Sequence, residues 1–190
     1  MNPLFSIWLN PAKTFASLAT QDQKKTNRMI NWLFFVIPMS AAFSGGREIK
    51  GLFEGNYFAG LFVSMILLGI MGFCFGKYIL SLSLWACSKL FQGKATKKEM
   101  QLVLAYGLIP NLVYLVIGLI LIIPAILLDK LELIGYQHPV TLFVLWIFTL
   151  RIIIIGLAHF NKYSYGYAVL TIFIPVTIFQ GLIFAIKYLI

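Results

Sequence analysis

Acidic and metal-binding side chains are scarce in this sequence. Its 190 residues include 6 Asp and Glu, 2 His and 2 Cys, and we find no grouping of them with the spacing of a metal site or a hydrolytic triad. Two common phosphate-binding patterns, G-x-x-x-x-G-K-[ST] and G-x-G-x-x-G, are also missing. We therefore expect no enzyme activity, no cofactor and no metal, and an ATP-driven role would need a separate subunit.

Charge of either sign is rare as well. Charged residues make up 11% of the chain and hydrophobic residues 61%, and the mean hydropathy is +0.91. A chain of this composition cannot cover itself with a water-facing surface, which indicates an integral membrane protein. The first 28 residues lack a long apolar stretch followed by a small-residue cleavage site, so we expect no removable signal peptide.

Five apolar runs are candidates to cross a hydrocarbon core, which takes about 20 helical residues. They cover approximately residues 29–43, 57–91, 100–128, 140–160 and 165–190. We predict an all-α fold: residues 29–190 form a polytopic bundle of five transmembrane helices, and residues 1–28 form an amino-terminal segment with a short interfacial helix. Five crossings place the two termini on opposite sides of the membrane.

The basic residues predict the orientation. Nine cations lie in the amino-terminal segment, in the loop "SKLFQGKATKKEM" and at Lys162, so the positive-inside rule puts the amino terminus in the cytoplasm and the carboxyl terminus outside. We attribute the net charge of +9 to topology and to anionic lipid headgroups, and we expect no nucleic acid partner. Lys94, Lys97 and Lys98 form a predicted cytoplasmic basic face.

The second run is longer than one crossing needs, since about 35 helical residues extend about 52 Å. We expect it either to tilt strongly or to bend near Gly76 and Lys77. At such a bend, Lys77 either extends its ammonium to the membrane surface, which we favour, or is a functional buried charge. The small residues Gly69, Gly72 and Gly76 indicate close helix packing.

The stretch "WLNPAKTFASL" has the pattern of a helix start. Asn10 is placed to cap a helix, and Pro11 to be its first residue. Thr14 and Phe15 follow within the first turns. We predict that these four residues position a short helix that lies on the inner leaflet.

A single arginine, Arg151, interrupts the apolar stretch "VLWIFTLRIIIIGLAHF". It lies about 16 Å into the fourth run, and Pro110 lies about 15 Å into the third run from the other side, so both should be at similar depth. A helical proline frees the carbonyl four residues earlier, which here belongs to Tyr106. We predict that Arg151 faces the interior and donates to the Tyr106 carbonyl, to the Tyr106 hydroxyl or to Asn111.

Three roles for Arg151 follow from that placement. It is a structural pin that holds kinked helices together, or it marks a cavity for an anionic group such as a lipid phosphate, or it reaches a partner or the membrane surface. A charge at the membrane centre costs at least about 2.5 to 3.5 kcal/mol on insertion scales. Both of the first two roles therefore require a compensating contact.

Short motifs along the chain resemble the Yip family of Rab-interacting membrane proteins, in its short bacterial form. "NPAKTF" precedes the first run, and "GKATKKEM", in which Thr96 and Glu99 have the spacing of a capping box, leads into "AYGLIP". The resemblance covers nearly the whole chain and implies a compact five-helix membrane domain. It also implies relatives that bind Rab-type GTPases through a long cytosolic segment, which the roughly 28 residues before the first run do not match.

We therefore expect a noncatalytic membrane adaptor or organiser of Yip-like type, in membrane trafficking or membrane organisation, located in a bacterial inner membrane. Its expected partners are anionic lipid headgroups and a membrane or cytosolic protein. The alternative is a carrier or permease subunit for a lipid or an anionic small molecule that uses Arg151. An open cavity reaching Arg151 would favour the carrier, and a packed interior would favour the adaptor.

Overall fold

The computed structural model describes residues 2–45, 56–128, 130, 133–134 and 138–189, and these residues are almost entirely helical. Three irregular helical pieces interrupt or extend the α-helices: a 3-10 segment Ser40–Gly45, a π-helical turn Phe75–Leu80 and a 3-10 turn Ile109–Asn111. The α-helices are α1 (Pro3–Leu9), α2 (Pro11–Ala19), α3 (Gln23–Met39), α4 (Tyr57–Cys74), α5 (Ser81–Leu90), α6 (Lys97–Gly107), α7 (Leu112–Leu127), α8 (Pro139–Asn161) and α9 (Tyr165–Leu189).

Four helical segments of the described chain are long and apolar enough to cross a membrane. They correspond to the second to fifth predicted runs. The helical content of the described residues confirms the all-α class. Their bounds are Tyr57–Leu90, Lys97–Leu127, Pro139–Asn161 and Tyr165–Tyr188. The first predicted run corresponds to α3 and the 3-10 segment that follows it, and α3 has 17 residues.

A π-helical turn, Phe75–Leu80, lies in the second run where a bend was one of the two expectations, and it contains both Gly76 and Lys77. A π-helical turn inserts an extra residue into the helical ladder and changes the direction in which the following side chains point. After the turn, α5 packs against α6 and α9 and buries Leu84 and Cys87. The second run is therefore one helical segment with a π-helical turn in it.

The helices α3 and α4 lie against each other, and glycines of α4 and of the π-helical turn after it make this possible. A Cβ atom added at Gly69 would lie 3.0 Å from the ring of Phe35, and one added at Gly76 would lie 2.9 Å from the ring of Phe34. One added at Gly72 would overlap Pro38. The glycine stripe therefore serves helix packing, as predicted.

The core consists of two buried clusters. The smaller one joins the residues after α3 to the start of α4 and the end of α7, through Phe43, Tyr57 and Ala125. The larger one contains side chains from α1, α2, α3, α6 and α8, including the fully buried Ile7 and Phe15. The amino-terminal segment is therefore part of the main core.

The segment in which one short helix was predicted forms two, α1 and α2. Their side chains Ile7 and Phe15 are 0% exposed. A Cβ atom added at Gly156 of α8 would lie 2.7 Å from the ring of Phe15. The glycine thus leaves the space that the Phe15 ring fills, so the apolar side of this segment packs against the bundle.

Candidate functional site

One end of the bundle, called the basic end below, carries the loop 91–96 between α5 and α6, the turn between α8 and α9, and the first turns of α3 and α6. The predicted basic face lies here, and Lys94, Lys97 and Lys98 are all exposed.

The loop begins where α5 ends. The Gly93 N–H donates to the Ser88 carbonyl at 2.9 Å, and Gln92 before it has a left-handed backbone with φ of 58°. A Cβ atom added at Gly93 would overlap the side-chain oxygen of Asn161. Gly93 is therefore required for close approach to α8, while Gln92 supplies the left-handed turn.

The start of α6 has the predicted capping box. The Thr96 N–H donates to Oε2 of Glu99 at 2.7 Å, and the Glu99 N–H donates to Oγ1 of Thr96 at 3.3 Å. The next lysine, Lys97, places its ammonium 4.8 Å from the ring centre of Trp85 in α5. A cation over an aromatic face is attracted to the ring, so Lys97 has a defined position.

A second lysine, Lys89, forms hydrogen bonds to the backbone of the loop. The Lys89 ammonium donates to the Gly93 carbonyl at 2.6 Å and to the Ala95 carbonyl at 3.1 Å. These loop carbonyls have no helical ladder to join, so a charged donor is a strong partner for them. Lys89 therefore stabilises the loop instead of contributing a free charge to the basic face.

Asn161, at the end of α8, is the centre of a buried hydrogen-bond network. It is 1% exposed, accepts from the Ala95 N–H at 3.3 Å, and donates to the Leu157 carbonyl at 3.0 Å and to the Tyr163 hydroxyl at 3.2 Å. The Tyr163 hydroxyl also pairs with Oγ1 of Thr171 in α9 at 2.9 Å. Three elements, the loop, α8 and α9, are joined through these side chains.

The protonation state of the Tyr163 hydroxyl is consistent with its hydrogen bonds in that network. Burial raises the pKa of the Tyr163 hydroxyl, and the hydrogen bonds from Thr171 and Asn161 lower it by less. The hydroxyl is therefore protonated at neutral pH and is able both to donate and to accept.

Sequence reasoning missed this network. The signal available to it was a polar Asn161 directly after an apolar helix and before Lys162, whose backbone is left-handed with φ of 58°. An asparagine at a helix end usually interacts with local backbone, so its long-range bond to Ala95 could not be read from the residues around it.

Arg151 connects α8 to the amino-terminal hairpin that α1 and α2 form. One guanidinium nitrogen donates to the Trp8 carbonyl at 2.9 Å and the other to the Leu9 carbonyl at 3.5 Å. Both carbonyls belong to the last turn of α1, where carbonyl groups have no intrahelical donor. Arg151 thus caps α1, and the Trp8 ring packs 5.4 Å from that of Phe148 on the same side of α8.

The predicted interior position of Arg151 and its predicted partners on α6 are therefore wrong, and its side chain is exposed. Ile153 contacts Gly107 of α6 so closely that a Cβ atom at Gly107 would overlap it. Two residues along a helix correspond to a rotation of about 200°, so Arg151 points away from α6. Of the predicted partners, Tyr106 is buried in the main core and Asn111 is half-buried in the 3-10 turn that contains Pro110.

The predicted amino-terminal residues are brought together at the hairpin. Asn10 joins the two helices, and Pro11 is the first residue of α2, as predicted, although Asn10 makes no side-chain cap bond. Oγ1 of Thr14 lies 2.9 Å from Oγ of Ser6 and closes the hairpin from inside. Phe15 packs at 5.9 Å, ring centre to ring centre, against Phe160 of α8.

Two clefts open at the basic end. The larger, of about 330 Å³, lies between the end of α2, the start of α3 and the start of α6, and Thr26, Lys98 and Glu99 line part of it. The smaller, of about 220 Å³, lies between α3, the π-helical turn and α6. Arg151 lines neither cleft.

A comparison with protein-family models gives one match to report. The model of the Yip1 domain matches residues 5–186, which includes the amino-terminal hairpin, the basic end and all four long apolar helices. No curated protein and no solved structure matches the chain.

Proposed function

The chain belongs to the Yip family of membrane proteins, and on this premise we propose that it is a noncatalytic membrane adaptor whose basic end binds the acidic surface of a protein partner. The observation that carries the proposal is the preorganised loop 91–96. Hydrogen bonds from the Lys89 ammonium to the loop, hydrogen bonds from the loop to Asn161, and the capping box hold its backbone, while Lys94, Lys97 and Lys98 stay exposed. A surface that is ordered before binding loses little conformational entropy on association.

Five membrane crossings fit this role, and the course of α3 supports the count. The start of α3 lines both clefts at the basic end, and Phe43, four residues after α3, packs with Tyr57 and Ala125 in the other cluster. From Met29, after the charged first turns of α3, to the end of the 3-10 segment the chain extends about 28 Å, close to the thickness of a hydrocarbon core. That length is enough for a crossing, so we propose that the basic end faces the cytoplasm of a bacterial inner membrane and that the carboxyl terminus lies outside.

The carrier alternative has less support. A carrier that binds an anion at Arg151 needs the guanidinium to face an open cavity. The Arg151 donors instead point to the Trp8 and Leu9 carbonyls, and the two clefts at the basic end do not reach this residue. These contacts favour a structural role for Arg151.

The experiment is native mass spectrometry of the protein gently extracted from its own membrane. We expect a stoichiometric protein partner on the wild type. We expect the doubly substituted Lys94→Gln, Lys97→Gln protein to bind it about tenfold more weakly, because each exposed charge pair contributes up to about 1 kcal/mol. The matched control is Lys130→Gln with Lys187→Gln, which removes the same charge elsewhere and should keep the partner.

Arg151→Leu belongs beside these variants, and we expect it to retain the partner. Equal loss of the partner from the two double variants would contradict a specific role of the basic end. An anionic lipid or small molecule that is held by the wild type, lost from Arg151→Leu and found in place of a protein would establish the carrier.

A further inference from the structure

The smaller cleft at the basic end, called the two-lysine cleft below, has an unusual lining for a membrane protein. Two of its lining residues are lysines, three are carboxamides and one is apolar, and none of the six is acidic: Asn27, Ile30, Asn31, Lys77, Lys98 and Gln101. Carboxamides donate and accept, and ammonium groups only donate. The cleft therefore offers mainly donors and a positive charge.

The π-helical turn is what brings Lys77 to this cleft. The Lys77 carbonyl accepts a hydrogen bond from Nε2 of Gln101 at 3.1 Å and another from the Ser81 hydroxyl. Its ammonium lies 4.8 Å from the ring centre of Phe73 and 5.2 Å from that of Tyr78. The rings orient the side chain but supply no negative charge, and π-helical turns occur frequently at functional sites.

The position of Lys77 along its helix corresponds to the level of lipid headgroups. Twenty residues separate it from Tyr57, the first residue of the segment Tyr57–Leu90, and this distance is about 30 Å, the thickness of a hydrocarbon core. If Tyr57 lies at one membrane boundary, Lys77 lies at the other. Lys98 and Gln101 occupy the first two turns of α6, at the basic end of the bundle.

The helical segment that carries Lys77 also has exposed apolar side chains. Phe75 is 43% exposed, Tyr78 54%, Ile79 47% and Leu82 47%, and all four are on the same helical segment as Lys77. In a membrane, acyl chains cover such a surface, so lipid headgroups lie near the level of Lys77. The cleft itself, at about 220 Å³, has room for a headgroup phosphate and not for the chains.

From this juxtaposition we propose that the two-lysine cleft binds the phosphate of an anionic phospholipid, with Lys77 and Lys98 as its cationic ligands and Asn27, Asn31 and Gln101 as hydrogen-bonding partners. The acyl chains lie along the exposed side chains that follow the π-helical turn. The inference assigns a specific site to the lipid contact, and its test is separate from that of the adaptor role, because Lys94 and Lys97, the lysines substituted there, line no part of the cleft.

The test is a native mass spectrometry titration of delipidated protein in detergent with phosphatidylglycerol and with phosphatidylcholine. We expect the wild type to prefer phosphatidylglycerol. Lys77→Gln and Lys98→Gln should each weaken that binding about fivefold, because one basic residue near an anionic headgroup contributes about that much. Lys77→Arg should retain it.

The matched control is Lys97→Gln, which removes one charge at the neighbouring position, over the Trp85 ring. Equal phosphatidylglycerol affinity in Lys77→Gln, Lys98→Gln and Lys97→Gln would overturn the proposal. Inorganic phosphate provides the second arm: if millimolar phosphate alone binds in a Lys77-dependent way and displaces phosphatidylglycerol, the ligand is a soluble phosphate and the lipid assignment is wrong. If Lys77→Gln folds poorly, the Lys98→Gln variant decides the test, because Lys98 lies outside the π-helical turn.

Discussion

Arg151 replaces water as the donor for two backbone carbonyls. It lies twelve residues from the start of α8 and ten from its end, which places it about 18 Å and about 15 Å from the two helix termini. Carbonyl groups at such depth in a bilayer have to be satisfied within the protein. The cost of the charge is thus offset by the carbonyls of Trp8 and Leu9.

At this scale we predict that Arg151→Leu undocks the amino-terminal hairpin while α8 stays inserted. A hydrogen bond to a charged group contributes about 1.5 kcal/mol or more, so the undocked fraction should rise about tenfold or more. The readout is the rate of maleimide labelling of Thr14→Cys, a position that is 4% exposed, in a background without Cys74 and Cys87.

Arg151→Lys is the conservative comparison for that measurement. Its ammonium keeps the charge but lacks the planar fork that reaches two carbonyls, so we expect an intermediate labelling rate. If Arg151→Leu labels as slowly as the unsubstituted background, the arginine does not hold the hairpin in place.

Among the elements, α1 and α2 are too short to be stable alone, with 7 and 9 residues. Helices shorter than about 12 residues are marginal in water, and most helical stability comes from tertiary packing. Here the packing comes from α8, where Gly156 leaves room for Phe15, and from the Arg151 cap. Contacts with α8 therefore stabilise the hairpin more than the helix propensity of its own sequence does.

The loop 91–96 depends on contact with α8 in the same way. We predict that Gly93→Ala lowers the thermal unfolding temperature of the detergent-solubilised protein by several degrees, because the added methyl group would overlap Asn161 and lie 2.8 Å from the Ser88 carbonyl. Overpacking of this kind costs about 1 to 3 kcal/mol. Tryptophan fluorescence during heating measures the change.

Gly181→Ala is the matched control, since a Cβ atom there meets nothing within 4 Å. Removing a helical glycine at an open position should leave stability unchanged or raise it slightly. Equal melting temperatures for Gly93→Ala and Gly181→Ala would show that the loop does not need its close approach to Asn161.

For the whole molecule, the two ends differ in chemistry. The basic end combines exposed lysines, the two clefts and the Asn161 network. The helix α3 runs from this end to the cluster around Phe43 and Tyr57. An odd number of crossings follows if α3 spans the membrane together with the four longer helical segments.

We accordingly predict that alkaline phosphatase is active when fused after the last residue and inactive when fused at the amino terminus. The enzyme needs its disulfides, which form outside the cytoplasm. A fusion within the turn that contains Lys162 is the internal control and should be inactive, because that turn belongs to the basic end. Activity at both termini would contradict five crossings with this orientation.

Prediction from the sequence succeeded where neighbouring residues decide the structure. The Thr96 and Glu99 capping box is confirmed because its partners are three residues apart. A π-helical turn lies at Gly76 and Lys77, where a bend was one of two expectations for a run too long for one crossing. The partners of Arg151 were predicted wrongly, because α8 is apolar on all sides. The sequence pattern of α8 could not show which side of the helix faces α6.

The sequence by itself determined an all-helical membrane protein of the Yip family, because hydropathy, helix length and short motifs are properties of consecutive residues. Only the tertiary structure decided that Arg151 caps α1, that Asn161 ties the loop 91–96 to α8, and that Lys77 shares a cleft with Lys98. These pairs lie far apart along the chain, and in a uniformly apolar segment the rotation of each helix is set by packing against its neighbours.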